Sequence, residues 1–272
     1  MSANSWLHPQ AFAGRVAIVV GGASGIGASV CATLAAHGCQ VVVADRNVEA
    51  AARVSEQALG AGGAATHAQL DVTQPQTVLA GVDAAVAWGR RLDFVVHCAG
   101  HTIPGELATL PLEDWHATMD VNFHGPFHVA RAAYPHLKRQ VGSSIVNVGS
   151  VASQGAYPGG GAYAASKAAL LVLTKQLAVE WAPDGIRVNS VSPGPTRTPL
   201  LDSFQSEETK RARARKVPLQ RIGEPTELAD AICYLLSPGA SFITGHEVLV
   251  DGGISQTLMN GTAAWVEKRA AA

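Results

Sequence analysis

The fold of this chain is decided by the stretch Arg15-Val-Ala-Ile-Val-Val-Gly-Gly-Ala-Ser-Gly-Ile-Gly27. Its first six residues form a short apolar run rich in β-branched side chains, which predicts a strand buried on both faces. Apolar residues with helical spacing follow from Ala28 to His37, and Gly38 stands where a helix C-cap is expected. A second buried strand is predicted over residues 40–45, so the segment has the order strand, glycine-rich turn, helix, strand.

The same alternation runs along the rest of the chain. Further strands are predicted over residues 65–70, 92–97, 144–148, 187–191 and 246–250, and helices over residues 48–59, 75–88 and between the later strands. Alternation of this kind produces a parallel sheet covered by helices on both faces. We therefore predict an α/β protein with one doubly wound domain of about seven strands. The domain would span residues 1–272, with an N-terminal extension over 1–11 and a tail over 254–272.

The composition excludes several kinds of protein. Of the 272 residues 47% are hydrophobic and 15% are charged, so the chain can bury a core and is not disordered. The 20 lysines and arginines nearly balance the 21 aspartates and glutamates, for a formal net charge of −1. This balance disfavours electrostatic binding of nucleic acid. So few charges protect a monomer poorly against association, and we expect a homo-oligomer.

The cysteines and histidines predict neither disulfides nor a metal site. The four cysteines form no C-x-x-C pair; they are Cys31, Cys39, Cys98 and Cys233. His124 and His128 are four residues apart on a predicted helix but lack a third ligand, which favours a packed or solvated pair. The N-terminal residues lack a basic region followed by an apolar run, and no stretch approaches about 18 uninterrupted apolar residues. We therefore expect a soluble cytoplasmic protein without membrane contact.

The glycine-rich turn has the spacing Gly-x-x-x-Gly-x-Gly between a strand and a helix. Without a Cβ the backbone can approach a pyrophosphate, and the N–H groups of the helix N-terminus point at negative charge. The hydroxyl of Ser24 adds a further donor. We predict that the turn binds the phosphates of a dinucleotide through Gly21, Ser24, Gly25, Ile26 and Gly27.

Asp45 closes the second strand, 18 residues after Gly27. A carboxylate there accepts hydrogen bonds from a ribose 2′-hydroxyl and repels a 2′-phosphate, which favours NAD. The alternative is that Asp45 caps the helix predicted to begin near Val48. Because the guanidinium of Arg46 could receive a 2′-phosphate, NADP is not excluded.

The segment Tyr163-Ala-Ala-Ser-Lys167 places a phenol and an ammonium four residues apart, on one face of a helix if the segment is helical. A free tyrosine has a pKa near 10, and a neighbouring cation favours the phenolate. Ser150 follows the predicted strand 144–148, and ligands of open parallel sheets bind where the strands end. The phenol, the ammonium and the serine are therefore candidates for one site.

Glycine turn, acidic strand end, strand-end serine and Tyr-x-x-x-Lys occur together and in this order. In this the chain resembles the short-chain dehydrogenase/reductase family from about residue 12 to residue 253. The resemblance implies a Rossmann-like fold and hydride transfer between a nicotinamide cofactor and a small secondary alcohol or carbonyl compound. Tyr163 would exchange the hydroxyl proton, Lys167 would lower its pKa and bind the nicotinamide ribose, and Ser150 would orient the substrate oxygen. Asn122 would complete the tetrad and hold a water that links Lys167 to solvent.

The resemblance also implies cofactor contacts along one edge of the sheet. Asp71 and Val72 match a pair that contacts adenine, and the loop Pro193-Gly-Pro-Thr-Arg-Thr198 matches one that touches the nicotinamide carboxamide. Besides the glycine turn, Asp45, Arg46, Tyr163 and Lys167, the implied contacts are Asp71, Val72, Cys98, Ala99, Gly100, Pro193, Gly194, Thr196 and Thr198. The family's dimer faces, on the helices that lead from Asn122 and through Tyr163, would give a homotetramer.

The chain departs from the family pattern in two places. Val20 stands where the family usually has threonine, and His97-Cys98 stands where it usually has two asparagines. The family threonine binds the asparagine segment, so we interpret the double change as replacement by less demanding groups that leaves no buried polar group unpaired. Cys98 is expected to be a buried, inert thiol rather than a redox sensor. His101 either hydrogen-bonds a polar substrate or lies in solvent.

No single motif identifies the substrate. Residues 195–218 lie between a strand and a helix, where a substrate lid is expected, and the glycine-rich run 153–161 predicts a pliant wall with little side-chain information. We interpret the basic residues of the lid as a solvated helix face, with a clamp for an anionic substrate as the alternative; they are Lys210, Arg211, Arg213, Arg215 and Lys216.

Three functions remain open at this point. The leading hypothesis is an NAD-dependent dehydrogenase of a cyclic or polyol alcohol. An NADPH-dependent ketoreductase, including one acting on acyl-carrier ketoacyl groups, and a catalytically silent nucleotide-sensing scaffold are the alternatives.

Overall fold

A parallel β-sheet forms the centre of the computed structural model, which describes residues 8, 10–202 and 206–257. The seven strands in these residues pair in the order β3-β2-β1-β4-β5-β6-β7. They are β1 (Val16–Val20), β2 (Gln40–Asp45), β3 (Ala64–Gln69), β4 (Phe94–His97), β5 (Ser144–Val148), β6 (Arg187–Pro193) and β7 (Glu247–Val250). All six pairings are parallel, which confirms the predicted fold class.

Helices cover both faces of the sheet. They are α1 (Gly25–Ala36), α2 (Val48–Gly60), α3 (Pro75–Gly89), α4 (Leu112–Met119), α5 (Gly125–Leu137), α6 (Tyr163–Trp181), α7 (Pro199–Asp202), α8 (Glu207–Lys216) and α9 (Pro225–Leu236). A π-helical turn, Asp120–His124, joins α4 to α5. One core lies between the sheet and helices α1, α2 and α9, and a second lies between the sheet and helices α3, α5 and α6.

Strand β1 shows why the apolar runs are continuous. Ala17 and Val19 face the core under α1 and α9, whereas Val16, Ile18 and Val20 face the opposite core. Successive side chains of a strand point to opposite faces, so a strand covered on both sides needs an apolar residue at every position. None of the helices in the described part of the chain is long and apolar enough to cross a membrane.

The strand order positions the functional site. The chain runs outward from β1 to β3 and then crosses back to place β4 on the other side of β1. At such a reversal the loops diverge above the carboxyl ends of the strands and leave a crevice, which is where doubly wound proteins bind ligands. The glycine turn after β1 and the loops after β4 and β5 meet there.

Element boundaries differ from the predictions by a few residues. Helix α1 begins at Gly25 rather than at residue 28, because the end of the glycine turn is itself the first helical turn. Gly38 follows the C-cap with a φ of +86°, as its predicted position requires. Residues 1–7 and 9 of the predicted extension, 203–205 of the predicted lid and 258–272 of the predicted tail lie outside the described residues.

Candidate active site

A cavity of about 920 Å³ opens at the carboxyl edge of the sheet. The predicted site residues that line it are Gly21, Ser24, Gly25, Ile26, Gly27, Asp45, Arg46, Asp71, Val72, Cys98, Ala99, Gly100, Ser150, Tyr163, Lys167, Pro193, Gly194, Thr196 and Thr198. Asn122 lies behind this wall, fully buried. The structure therefore brings the predicted cofactor contacts and the predicted tetrad to one place.

The glycine turn forms a cradle that side chains would fill. Gly21 has a φ of +74°, and a Cβ there would lie 2.5 Å from the backbone nitrogen of Ala99. Ser24 is the N-cap residue of α1, yet its side chain makes no capping hydrogen bond. Its hydroxyl and the first N–H groups of α1 are therefore available to the phosphates of a dinucleotide, so these residues fit that group.

Asp45 belongs to the cavity and not to the cap of α2. Its Oδ2 accepts a hydrogen bond from the Ala23 backbone N–H (3.2 Å), and its Oδ1 accepts one from the Asn47 N–H (3.0 Å). The side chain that caps α2 is that of Asn47, which accepts from the Ala50 N–H. The capping alternative for Asp45 is therefore wrong, and the carboxylate is fixed beside the glycine turn.

Asp71 and Val72 occupy the wall of the cavity beyond β3. The Asp71 Oδ1 accepts hydrogen bonds from the N–H (2.9 Å) and the hydroxyl (2.8 Å) of Thr73, which fixes this loop. Val72 packs so closely on α5 that a Cβ at Gly125 would lie 2.8 Å from it. An apolar shelf and a fixed carboxylate are suited to an adenine ring, as the resemblance implies.

Helix α6 brings Tyr163 and Lys167 together, one turn apart at its start. The Lys167 Nζ lies 5.9 Å from the centre of the Tyr163 ring and donates a hydrogen bond to the Val148 carbonyl at 2.9 Å. Burial lowers the pKa of Lys167 to about 8, against a smaller opposing effect of Cys98. The ammonium is thus held at the end of β5 and loses its proton more readily than a lysine in water does.

The pKa of the Tyr163 phenol depends on its burial and on Ser150. Burial raises the pKa of Tyr163, the hydrogen bond with Ser150 acts in the opposite direction, and Tyr157 adds a smaller increase. Ser150 thus opposes the effect of burial on this pKa. The lowering by Lys167 that the sequence suggests stays a prediction. A positive charge close to the phenol, such as that of a bound nicotinamide ring, would lower this pKa further.

Asn122 lies in the π-helical turn and fixes the loop after β4. Its Oδ1 accepts from the His101 N–H (2.7 Å), and its Nδ2 donates to the His101 carbonyl (2.8 Å) and to the Ser166 hydroxyl (2.9 Å). Both amide protons are therefore used within the protein. A water held by this side chain, as the resemblance implies, would have to meet Oδ1.

His97 corrects the interpretation of the two departures from the family pattern. Its side chain is 1% exposed, and within the described chain neither ring nitrogen has a hydrogen-bond partner. Burial, with a smaller contribution from Lys167, lowers its pKa to about 3. The histidine is thus a demanding group, and the change at Val20 and His97 does leave a buried polar group unpaired. Burial raises the pKa of the adjacent Cys98 thiol to about 12, which supports an inert thiol.

The other histidines have separate environments. His101 is half-buried and lines the cavity, and burial, with Arg46 nearby, lowers its pKa. The Nδ1 of His124 lies 2.9 Å from the Asp120 Oδ1, whereas the Nδ1 of His128 lies 3.2 Å from the Val72 carbonyl oxygen. Within the described ranges no three histidine, cysteine or acidic residues cluster so as to hold a metal ion.

Sequence reasoning missed Tyr157, which belongs to the glycine-rich run expected to carry little side-chain information. Its ring lies 6.1 Å from the Tyr163 ring, edge to face, and its hydroxyl accepts a hydrogen bond from the Arg213 Nη2 at 2.7 Å. The signal was present, because Tyr157 is the one aromatic residue in the run 153–161. Leu200 and Leu201 on α7 complete the wall on the lid side.

Comparison with known proteins identifies the family. The model of a family described as enoyl-(acyl carrier protein) reductase matches residues 21–255. Cyclohexanol dehydrogenase of Acinetobacter sp. (strain SE19) is 36% identical over 244 residues, which cover 89% of this chain and 95% of that protein. 3-Oxoacyl-[acyl-carrier-protein] reductase of Thermotoga maritima is 36% identical over 241 residues, covering 89% of this chain and 98% of that protein.

A solved structure agrees in fold as well. A 7α-hydroxysteroid dehydrogenase complexed with NADH and 7-oxo glycochenodeoxycholic acid superimposes with a TM-score of 0.87 at 30% identity, covering 90% of this chain and 96% of that one. Fold and site thus define an oxidoreductase built on a dinucleotide-binding sheet. The chain belongs to the short-chain dehydrogenase/reductase family.

Proposed function

We propose that this protein is an NAD-dependent oxidoreductase that interconverts a secondary alcohol and its ketone, with a cyclic or polyol-type substrate favoured. The observation that carries the proposal is the convergence of Ser150, Tyr163 and Lys167 on one cavity with the glycine turn. The relatives support the substrate class, because one of them is a cyclohexanol dehydrogenase.

The chain's own residues handle the proton and the orientation of the substrate. Oxidation removes a hydride from the carbinol carbon and a proton from its oxygen, and the Tyr163 hydroxyl is the group that accepts and returns that proton. Ser150 holds the substrate oxygen beside the phenol. Lys167, anchored on the Val148 carbonyl, holds the positive charge close to the phenol and can pass a proton onward. Asn122 positions the loop that begins at His101.

The nicotinamide dinucleotide, when bound, supplies the acceptor or donor of the hydride. The glycine turn would hold its phosphates, Asp45 the adenosine ribose, Asp71 and Val72 the adenine, and the 193–198 loop the carboxamide. Tyr163, Lys167 and residues 98–100 would line the nicotinamide half. NAD is favoured because a fixed carboxylate repels a 2′-phosphate.

The test is a screen of NAD reduction across cyclic alcohols, sugar alcohols, hydroxysteroids and hydroxy acids, with the absorbance of NADH as the readout. We expect turnover of at least one cyclic or polyol alcohol. Tyr163→Phe should lose nearly all of it while binding NADH as tightly as the wild type. A variant that keeps more than about a tenth of the wild-type rate would contradict the proton-transfer role.

An NADPH-dependent ketoreductase is the second candidate, because Arg46 lines the cavity beside Asp45 and one relative is a 3-oxoacyl-[acyl-carrier-protein] reductase. Paired titrations with NAD and NADP separate the two. Asp45→Ser should move the preference toward NADP, and an unchanged preference would show that Asp45 does not meet the ribose. A catalytically silent scaffold would turn over nothing in the whole panel.

We also propose that the protein is a homo-oligomer, a tetramer by family resemblance, in the cytoplasm. Val172 and Val179 are 65% and 77% exposed on α6, and their spacing of seven residues places them on one face of that helix. Light scattering of the wild type and of Val172→Lys tests this: a monomeric wild type would contradict it. The free cysteines, three of them buried, fit a reducing compartment.

A further inference from the structure

Arg213 of α8 is a cation held at the substrate end of the cavity. Its Nη2 donates to the Tyr157 hydroxyl, and its Cζ lies 5.8 Å from the centre of the Tyr157 ring. The Tyr157 ring in turn lies 6.1 Å from that of Tyr163. The guanidinium is therefore separated from the proposed acid–base group by the width of one aromatic ring.

The hydrogen bond to Tyr157 uses one of the five N–H donors of this guanidinium. Within the described ranges, Arg213 has no carboxylate within ion-pair distance, whereas Lys210 on the same helix pairs with Asp202 and Glu207. Arg213 thus keeps a free N–H edge and an uncompensated charge in a half-buried place.

The surroundings of Arg213 have one sign of charge. Lys216, one turn further along α8, also lines the cavity. The carboxylates among the described lining residues are Asp45 and Asp71, and both belong to the adenosine end, beyond β2 and β3. Among the described lining residues, the substrate end therefore carries Lys167, Arg213 and Lys216 and no acidic side chain.

We propose that the substrate carries a carboxylate, separated by several bonds from the carbon that reacts, and that Arg213 binds it with support from Lys216. The proposal rests on the proposed function and names the class of substrate for it. A guanidinium with a free edge binds a carboxylate through two parallel hydrogen bonds, and a half-buried place strengthens the pair. Tyr157 holds the guanidinium in position, and the remaining face of the cavity accepts the ring of the substrate.

The test compares 4-hydroxycyclohexanecarboxylate with its methyl ester and with cyclohexanol. The acid and the ester have the same ring and differ in charge, and cyclohexanol lacks the group altogether. The wild type should oxidise the acid with a kcat/KM at least about tenfold above that for the ester. Arg213→Gln should lower kcat/KM for the acid by roughly 10- to 150-fold, the range for a hydrogen bond to a charged group, and change the neutral substrates by less than about threefold.

The matched control is Arg215→Gln, which makes the same change in charge on an exposed part of α8 that does not line the cavity. It should leave the ratio of acid to ester unchanged. Inhibition gives a second readout: cyclohexanecarboxylate should compete with the neutral alcohol in the wild type, and its inhibition constant should rise in Arg213→Gln. Activity of that variant on the neutral alcohol shows that it is folded.

Several outcomes overturn the proposal. Equal losses on acid and ester in Arg213→Gln would mean that the arginine only supports Tyr157, and a raised KM for NAD would mean that it contacts the cofactor. Oxidation of ester and cyclohexanol by the wild type without preference for the acid refutes this proposal alone. No oxidation of any of the three, while other alcohols of the panel described above are oxidised, also refutes this proposal alone. No turnover across that whole panel refutes the proposed function together with it.

Discussion

His97→Gln should make the protein less sensitive to mild acid. The imidazole is buried without a hydrogen-bond partner in the described chain, and burial lowers its pKa from 6.5 to about 3. As the pH falls through about 6.5, His97 therefore takes up a proton in the unfolded chain but stays neutral in the folded chain. The stability associated with the neutral histidine is complete above pH 6.5 and is lost progressively as the pH falls from 6.5 toward 3.

The difference between these two pKa values sets the size of the effect on stability. Between pH 7.5 and pH 5.5 the unfolded chain changes from nearly unprotonated to nearly fully protonated at this site, while the folded chain stays neutral. One pKa unit corresponds to 1.36 kcal/mol, so the wild type should lose about 1.4 kcal/mol of its free energy of unfolding through this group alone. Glutamine has no such group, so the loss should be smaller in the variant by that amount.

Urea unfolding at fixed protein concentration, at pH 7.5 and pH 5.5, measures the difference. Each variant is compared with itself across pH, so a change in packing caused by the substitution cancels. His116→Gln, at an exposed position of α4, is the matched control and should behave as the wild type. If wild type and His97→Gln lose stability in parallel, within about 0.3 kcal/mol, the histidine is charged in the folded protein and the reasoning fails.

Three further changes test other parts of the structure. Lys167→Met should abolish turnover yet raise the free energy of unfolding at pH 7 by about 2 kcal/mol. Burial lowers the pKa of Lys167 to about 8, so keeping this lysine charged in the folded chain costs more free energy than its hydrogen bond to the Val148 carbonyl returns. Urea unfolding should show the gain in stability shrinking as the pH rises toward 10. Arg187→Leu should cost about 2–3 kcal/mol in the same assay, because its guanidinium donates to three carbonyls at the end of α9. Gly21→Ala should weaken NAD binding at least about tenfold by calorimetry, since its positive φ and the 2.5 Å approach to Ala99 force the turn to shift.

The strand and helix order was predictable because both faces of the sheet are covered. An apolar, β-branched run such as residues 15–20 predicts a strand buried on both faces, and the glycine turn after it indicates that a helix comes next. The candidate tetrad was predictable only in part from such physical reasoning: Ser150 follows a strand whose carboxyl end lies at the ligand-binding edge, and Tyr163 and Lys167 share one helix face. Asn122 came from the family resemblance. Boundaries were less accurate where glycines belong to the helix itself, as at the start of α1.

Pairings between distant segments could not be predicted from the sequence. The contact between Tyr157 and Arg213 joins residues 56 positions apart, and nothing in either segment specifies the other. The same holds for the four cysteines, which are scattered in sequence: burial raises the pKa of the Cys31 thiol, and the other three cysteines add smaller increases. Whether His97 finds a hydrogen-bond partner depends on every neighbour in the fold, and among the described residues it finds none, so the residue was misjudged from sequence.

The hydrogen bond from the Ala23 N–H to Asp45 gives one carboxylate two tasks. Asp45, proposed to discriminate between NAD and NADP, also fixes the glycine turn, which is proposed to bind their phosphates. Engineers who remove it to broaden coenzyme use will weaken that binding for both coenzymes at once. A redesign of this enzyme should therefore supply a replacement acceptor for the orphaned amide before, rather than after, new basic residues are introduced.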